Sequence, residues 1–130
     1  AMAPENPQVA FTMALVLGEE HRYPEAIMML DELAEAVPET QLPALGQTAE
    51  WLVQSGDWDA AETRYRAVLD AVPDASMAHR QLARLLVRQG RRLEAAQHLK
   101  ALCEQGNVEE IELRALLSLS EPFAADETVG

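Results

Sequence analysis

The chain has 130 residues, enough for one compact unit or a short repeat array and too few for two independent globular domains. Hydrophobic residues make up 48% but aromatics only 5%, and this alanine- and leucine-rich composition favours packed helices over a β-sandwich. The net charge of −12 argues against binding nucleic acid or anionic lipid, and no apolar run approaches the roughly 20 residues that membrane insertion needs.

At the N-terminus, AMAPENPQ lacks a basic stretch followed by an apolar core, so no secretory signal is visible. Ala1 ahead of Met2 reads as a cloning remnant on an excised array, and residues 1–6 are set apart as an extension. Asn6-Pro7 is a cap followed by proline in the first turn, which predicts a helix to about Glu19. Pro24 opens a second helix, whose Ile27, Leu30, Leu33 and Val37 recur at three- and four-residue steps until Pro38 stops it. Thr40 is placed to cap a third helix, with Pro43 in its first turn, running to about Ser55. Gly56 breaks the chain, Asp57 caps a fourth helix, and Ala61, Tyr65, Val68 and Leu69 form its apolar stripe until Pro73. Asp74 or Ser76 starts a fifth helix that Gly90 ends, and a sixth runs from about Arg92 to Gln105. Gly106-Asn107 is a stop and restart. A seventh helix is expected over about Val108 to Leu119, with Ile111, Leu113, Leu116 and Leu117 beside Glu109, Glu110, Glu112 and Arg114. One apolar and one polar face suit it to closing the open end of a repeat array. The tail, Ser120–Gly130, is polar and proline-broken and is expected to fray.

A fixed period underlies this order. The segments GEEHRYPEAIMMLDELAEAVP, VQSGDWDAAETRYRAVLDAVP and VRQGRRLEAAQHLKALCEQGN align so that Ala26, Ala61 and Ala95 fall 35 and 34 residues apart. Leu30, Tyr65 and Leu99 each follow four residues later, and Pro38 and Pro73 end the first two segments. Tyr23 and Trp58 share one position, Gly56 and Gly90 another, and Ala14, Ala49 and Ala83 mark equivalent sites in the preceding helices. Small residues at such sites let helices approach to roughly 8–10 Å while larger ridges fill the neighbouring grooves.

These residues carry a resemblance to the tetratricopeptide repeat family, whose unit is a helix–turn–helix of roughly 34 residues with an A-x₃-F…P second half. The resemblance covers about Pro7 to Asn107 and is clearest around Gly56-Asp57-Trp58, Ala61, Tyr65 and Pro73. It departs from the pattern at Leu45, Thr48, Ala49 and Leu52, at His21 in the first turn, and at Arg92 and Asn107 in the third unit. What it implies is an all-α, right-handed α-solenoid of three repeats, at residues 7–41, 42–75 and 76–106, with a capping helix over 107–119 and a tail over 120–130. It also implies a non-catalytic interaction module that holds a peptide or protein segment in a concave groove lined by the first helix of each repeat.

No catalytic constellation is readable. His21, His79 and His98 lie in three different predicted elements without metal-ligand spacing, no glycine-rich loop cradles phosphate, and no serine or cysteine has a paired base in a motif, so no metal, cofactor or enzymatic activity is expected. The single Cys103 cannot form an internal disulfide; it falls in register among buried positions, and a reducing compartment, the cytoplasm, is compatible with it.

Charge is less bland. Residues 1–41 sum to −7, 42–75 to −4, 76–106 to +4 and 107–130 to −5, so the third segment is basic inside an acidic chain. Arg80, Arg84 and Arg88 stand at i, i+4 and i+8 on one helical stripe. On the family register they face the groove, as do Phe11, Leu15, Gln47, Glu50 and Gln54. Two readings stand side by side. The stripe binds carboxylates of an acidic peptide, or it neutralises its own neighbourhood, with Glu50, 34 residues before Arg84, beside it. Arg91 and Arg92 would widen the patch. The lysine/asparagine clamp by which some family members hold chaperone C-termini is absent, its places being taken by Phe11, Leu15, Gln47, Met77 and Gln81. Trp58 is expected in the core, Trp51 between helices, and Met28 and Met29 in the core or on the convex side. The alternative to a binding module is an assembly or spacer domain of a larger protein, including head-to-tail self-association of the acidic first with the basic third segment.

Overall fold

The computed structural model describes residues 6–106, so the expected capping helix and tail lie outside the described residues. The chain divides into two compact units, Ala1–Val68 and Leu69–Gly130. The first contains α1 (Pro7–Glu19), α2 (Tyr23–Ala36), a 3-10 turn (Pro38–Thr40), α3 (Gln41–Gln54) and most of α4 (Trp58–Ala71). The second contains the end of α4, α5 (Ser76–Arg88) and α6 (Arg92–Gln105). Among the described residues there is no strand.

Helix starts and stops follow local chemistry. The side chain of Asn6 accepts from the backbone N–H of Gln8 at 2.9 Å and of Val9 at 3.4 Å, satisfying two donors that the first turn leaves open. Asp57 does the same for Ala60 at 3.4 Å. At the other ends one device recurs three times. The N–H groups of Arg22, Asp57 and Arg91 donate to the carbonyls of Leu17, Leu52 and Leu86 at 2.8–2.9 Å. This closure needs a left-handed residue just before it. Gly56 and Gly90 supply it with φ of 89° and 79°, and His21 takes the equivalent place with φ of 63°. The departure from glycine at His21 therefore changes the residue and keeps the geometry. Arg22 and Arg91 then stabilise the helices they precede by gripping Glu25 and Glu94 through two nitrogens each.

Thr40 works in the opposite sense from the expectation. Its hydroxyl makes no cap for α3; it donates back to the carbonyls of Val37 at 2.7 Å and Leu33 at 3.3 Å, at the end of α2. The 3-10 turn after Pro38 curls Thr40 under α2, and α3 follows with no side-chain cap. The fifth helix starts at Ser76, again without a side-chain cap.

The core of the first unit gathers Ala14, Ala26, Leu30, Leu33, Ala44 and Trp51. In the second, Ala83, Leu99 and Leu102 pack together between α5 and α6. All six periodic alanines, 14, 26, 49, 61, 83 and 95, are 0% exposed, and Leu30, Tyr65 and Leu99 are buried beside them. The small-and-large alternation is thus what lets the helices close on one another. Trp51 is buried against α1, where Gly18 leaves room for its indole. Trp58 is only half-buried and Met28 is exposed, whereas Met29 packs on the core. Cys103 is exposed, contrary to its expected place in the core: Leu99 and Leu102 fill the inward face of α6 and the next residue turns out.

Candidate functional site

The arginine row is on α5. Ala78, His79, Leu82, Ala83, Leu85 and Leu86 occupy the buried side of this helix, which leaves residues 80, 84 and 88 on the other. Arg80 is half-buried, and Arg84 and Arg88 are exposed, successive guanidinium stems rising about 6 Å along the axis. Arg91 does not extend the row. Its guanidinium grips Glu94 at 2.8 and 2.9 Å and also donates to Gln89 at 3.1 Å, which holds it over its own turn.

The other five expected groove residues lie in the first unit. Phe11 and Leu15 are half-buried and pack on its core, so much of their apolar surface is already satisfied. Gln47 is half-buried and Glu50 exposed. Gln54, on α3, accepts a 2.8 Å hydrogen bond from the hydroxyl of Tyr23, and Nδ1 of His21 lies 2.8 Å from the same hydroxyl. Gln54 is therefore tied to the first inter-helix turn, an engagement that spacing alone does not disclose.

Glu50 acts on its own surroundings. Burial pushes the Tyr65 phenol up to about 12, and the negative charge of Glu50 adds to that shift. The folded chain keeps this proton where the unfolded chain, at the ordinary 10, releases it. Tyr65 thus contributes stability that is intact below pH 10 and lost as pH rises toward about 12. Urea unfolding across that window should show the loss, and Tyr65→Phe should flatten it; an unchanged alkaline slope would rule out Tyr65 as its source.

Two polar clusters went unnoticed in the sequence. Arg64 on α4 holds Asp31 on α2 through two hydrogen bonds of 2.7 and 3.1 Å and donates at 3.0 Å to the hydroxyl of Thr48 on α3. That hydroxyl, fully buried, passes its own proton to the carbonyl of Ala44 at 2.7 Å. Three helices of the first unit are stitched by one guanidinium. In the second unit, Nδ1 of His79 meets Nδ1 of His98 at 2.9 Å, and Nε2 of His79 lies 2.9 Å from the carbonyl of Pro73. A carbonyl only accepts, so His79 carries a proton on Nε2, and in the neutral ring its Nδ1 accepts from His98. Neither cluster is a metal set; among the described residues no three or more histidine, cysteine or carboxylate groups are placed to hold an ion. Both unite residues from different helices, and only the near-period spacing of Asp31 and Arg64 hinted at either one.

Stacked helical hairpins with buried alanines at their crossings and left-handed turns between their helices define the class of repeat proteins that act as interaction or scaffold modules. Residues 48–109 match the tetratricopeptide repeat family. A solved tetratricopeptide repeat protein from Parabacteroides merdae superposes with a TM-score of 0.81 at 15% identity, over 95% of this chain and 47% of that one. The chain thus spans about half the length of that protein. A point mutant of the protein MamA gives a TM-score of 0.66 at 29% identity, over 80% of this chain and 75% of that one. No curated protein matches. The fold is all-α and of the tetratricopeptide solenoid type, and proteins of this family are in general scaffolds that engage other proteins and not enzymes. Among the described residues no helix is long and apolar enough to cross a membrane.

Proposed function

We propose that the chain is a non-catalytic binding module that holds an acidic segment of another polypeptide against the outer face of α5. The observation that carries this is the row of Arg80, Arg84 and Arg88, set on the side of the helix away from its buried residues and within a +4 stretch of a −12 chain. Guanidinium groups at helical spacing match carboxylates along an extended or helical peptide, bidentately where geometry allows. Single exposed pairs contribute roughly 0.2–1 kcal/mol each, so three act as a register and an on-rate device, and the partner's apolar contacts supply the rest. Gln47 and Glu50 on α3 offer polar contacts of their own within the first unit.

The test is the affinity of a partner captured from the native lysate for the wild-type chain and for the Arg80→Glu/Arg84→Glu/Arg88→Glu variant. Reversal should weaken binding about 100-fold, and salt should weaken only the wild-type complex. Circular dichroism should stay unchanged. A partner held equally by both chains, with the same salt response, would remove the arginines from the interface.

A further inference from the structure

Helix α2 buries Ala26, Leu30 and Leu33 and turns the opposite stripe to solvent. On that stripe Met28 is 62% exposed, and Glu32 and Glu35 follow it four and seven residues later, both exposed. Their neighbours Glu25 and Asp31 are gripped by Arg22 and Arg64. Glu32 and Glu35 make no such pair among the described residues. One exposed methionine needs no explanation by itself; what matters is the helix that stands in register with it.

Helix α5 carries the complement in the same order. Away from its buried side stands Met77, 43% exposed, with Gln81 and Arg84 four and seven residues on and Arg80 beside Gln81. The two stripes share one spacing, four residues and then three, which keeps side chains in line along one side of each helix so that two helices can meet lengthwise. Laid parallel, Met28 meets Met77, Glu32 meets Gln81 and Arg80, and Glu35 meets Arg84, with the first and last contacts about 10 Å apart on both helices. The apolar end falls on the apolar end, and each carboxylate falls on donors. Laid antiparallel, each methionine would face a charge.

We infer that α2 of one copy is the acidic segment that the α5 row of a second copy holds. This occupant presupposes the proposed binding at the row and gives it a partner. The two faces differ, so the contact is heterologous: each copy offers α2 to one neighbour and α5 to another, and association continues beyond a pair. A few side chains from each copy fall short of the roughly 800 Å² per partner of a stable interface, so the contact is weak, and its exposed charges make it salt-sensitive.

Sedimentation of the full chain from about 10 to about 500 µM tests this. The weight-average mass should rise about 1.5-fold or more at about 0.05 M salt and stay that of a monomer at about 0.5 M. The variants Glu32→Arg/Glu35→Arg and Arg80→Glu/Arg84→Glu/Arg88→Glu should each be monomeric alone, because each carries one sign of charge on both faces. Mixed in equal amounts they should associate again: the basic α2 of one meets the acidic row of the other, and the second contact has its original signs. Both variants stay net negative, so attraction between whole molecules does not produce this rescue. A mixture that stays monomeric, or self-association that survives either reversal alone, would overturn the inference. A monomer at every concentration of the original chain would overturn it too and leave the row to the acidic segment of a different protein, which the Glu32→Arg/Glu35→Arg chain, its row intact, would still capture.

Discussion

Trp51→Ala is expected to cost about 3–5 kcal/mol of stability, a large share of what a small domain possesses. The indole is 4% exposed and belongs to the cluster that joins α3 to the α1–α2 hairpin. Its removal opens a cavity that nothing nearby can fill: the facing position is Gly18, which has no side chain, and Ala14, Ala26 and Ala44 are small and already in contact. Urea unfolding followed by circular dichroism measures the loss. Trp58→Ala is the control, since Trp58 is half-buried, and its cost should be clearly smaller. A loss below about 1 kcal/mol at Trp51 would mean that the first unit does not depend on this contact.

Gly18→Ala should be destabilising, against the usual direction. In a helix interior alanine is ordinarily favoured over glycine by about 1 kcal/mol. Here a Cβ on Gly18 would lie 2.5 Å from Cε2 and Nε1 of Trp51 and 2.6 Å from its Cζ2, inside the 3.0 Å that real Cβ contacts respect. The indole is packed on its other sides and cannot swing away, so overpacking of about 1–3 kcal/mol outweighs the gain in propensity. The double variant makes the argument sharp. With Trp51→Ala already in place the clash is gone, and Gly18→Ala should become neutral or stabilising. A coupling of about 2–3 kcal/mol is the expected signature. Two effects that simply add would show that the two residues do not touch.

The pair also marks where sequence reasoning stopped. The six alanines, the large side chains Leu30, Tyr65 and Leu99 four residues after three of them, and the prolines announce the helices because each obeys a rule along one element: periodicity, capping or a missing N–H. The arginine row on α5 was legible for the same reason, since i, i+4 spacing defines a stripe whatever packs nearby. Complementarity between elements is another matter. Nothing in the surroundings of Gly18 in the sequence says that Trp51, 33 residues later, fills the space above it, or that Arg64 reaches Asp31 and Thr48 at once. Thr40 misled because a hydroxyl before a helix has two backbone directions open to it, and the turn after Pro38 chose the backward one. Cys103 misled because adjacent residues of a helix point about 100° apart, so a one-residue offset from Leu102 moves a side chain from the interior to the surface.

That offset changes the redox chemistry open to the molecule. With one cysteine in the sequence and its sulfur facing solvent, any disulfide between copies of this chain joins two molecules. Oxidation would read out as covalent pairs on a non-reducing gel, and a maleimide dye would place one reporter per chain at the outer side of α6.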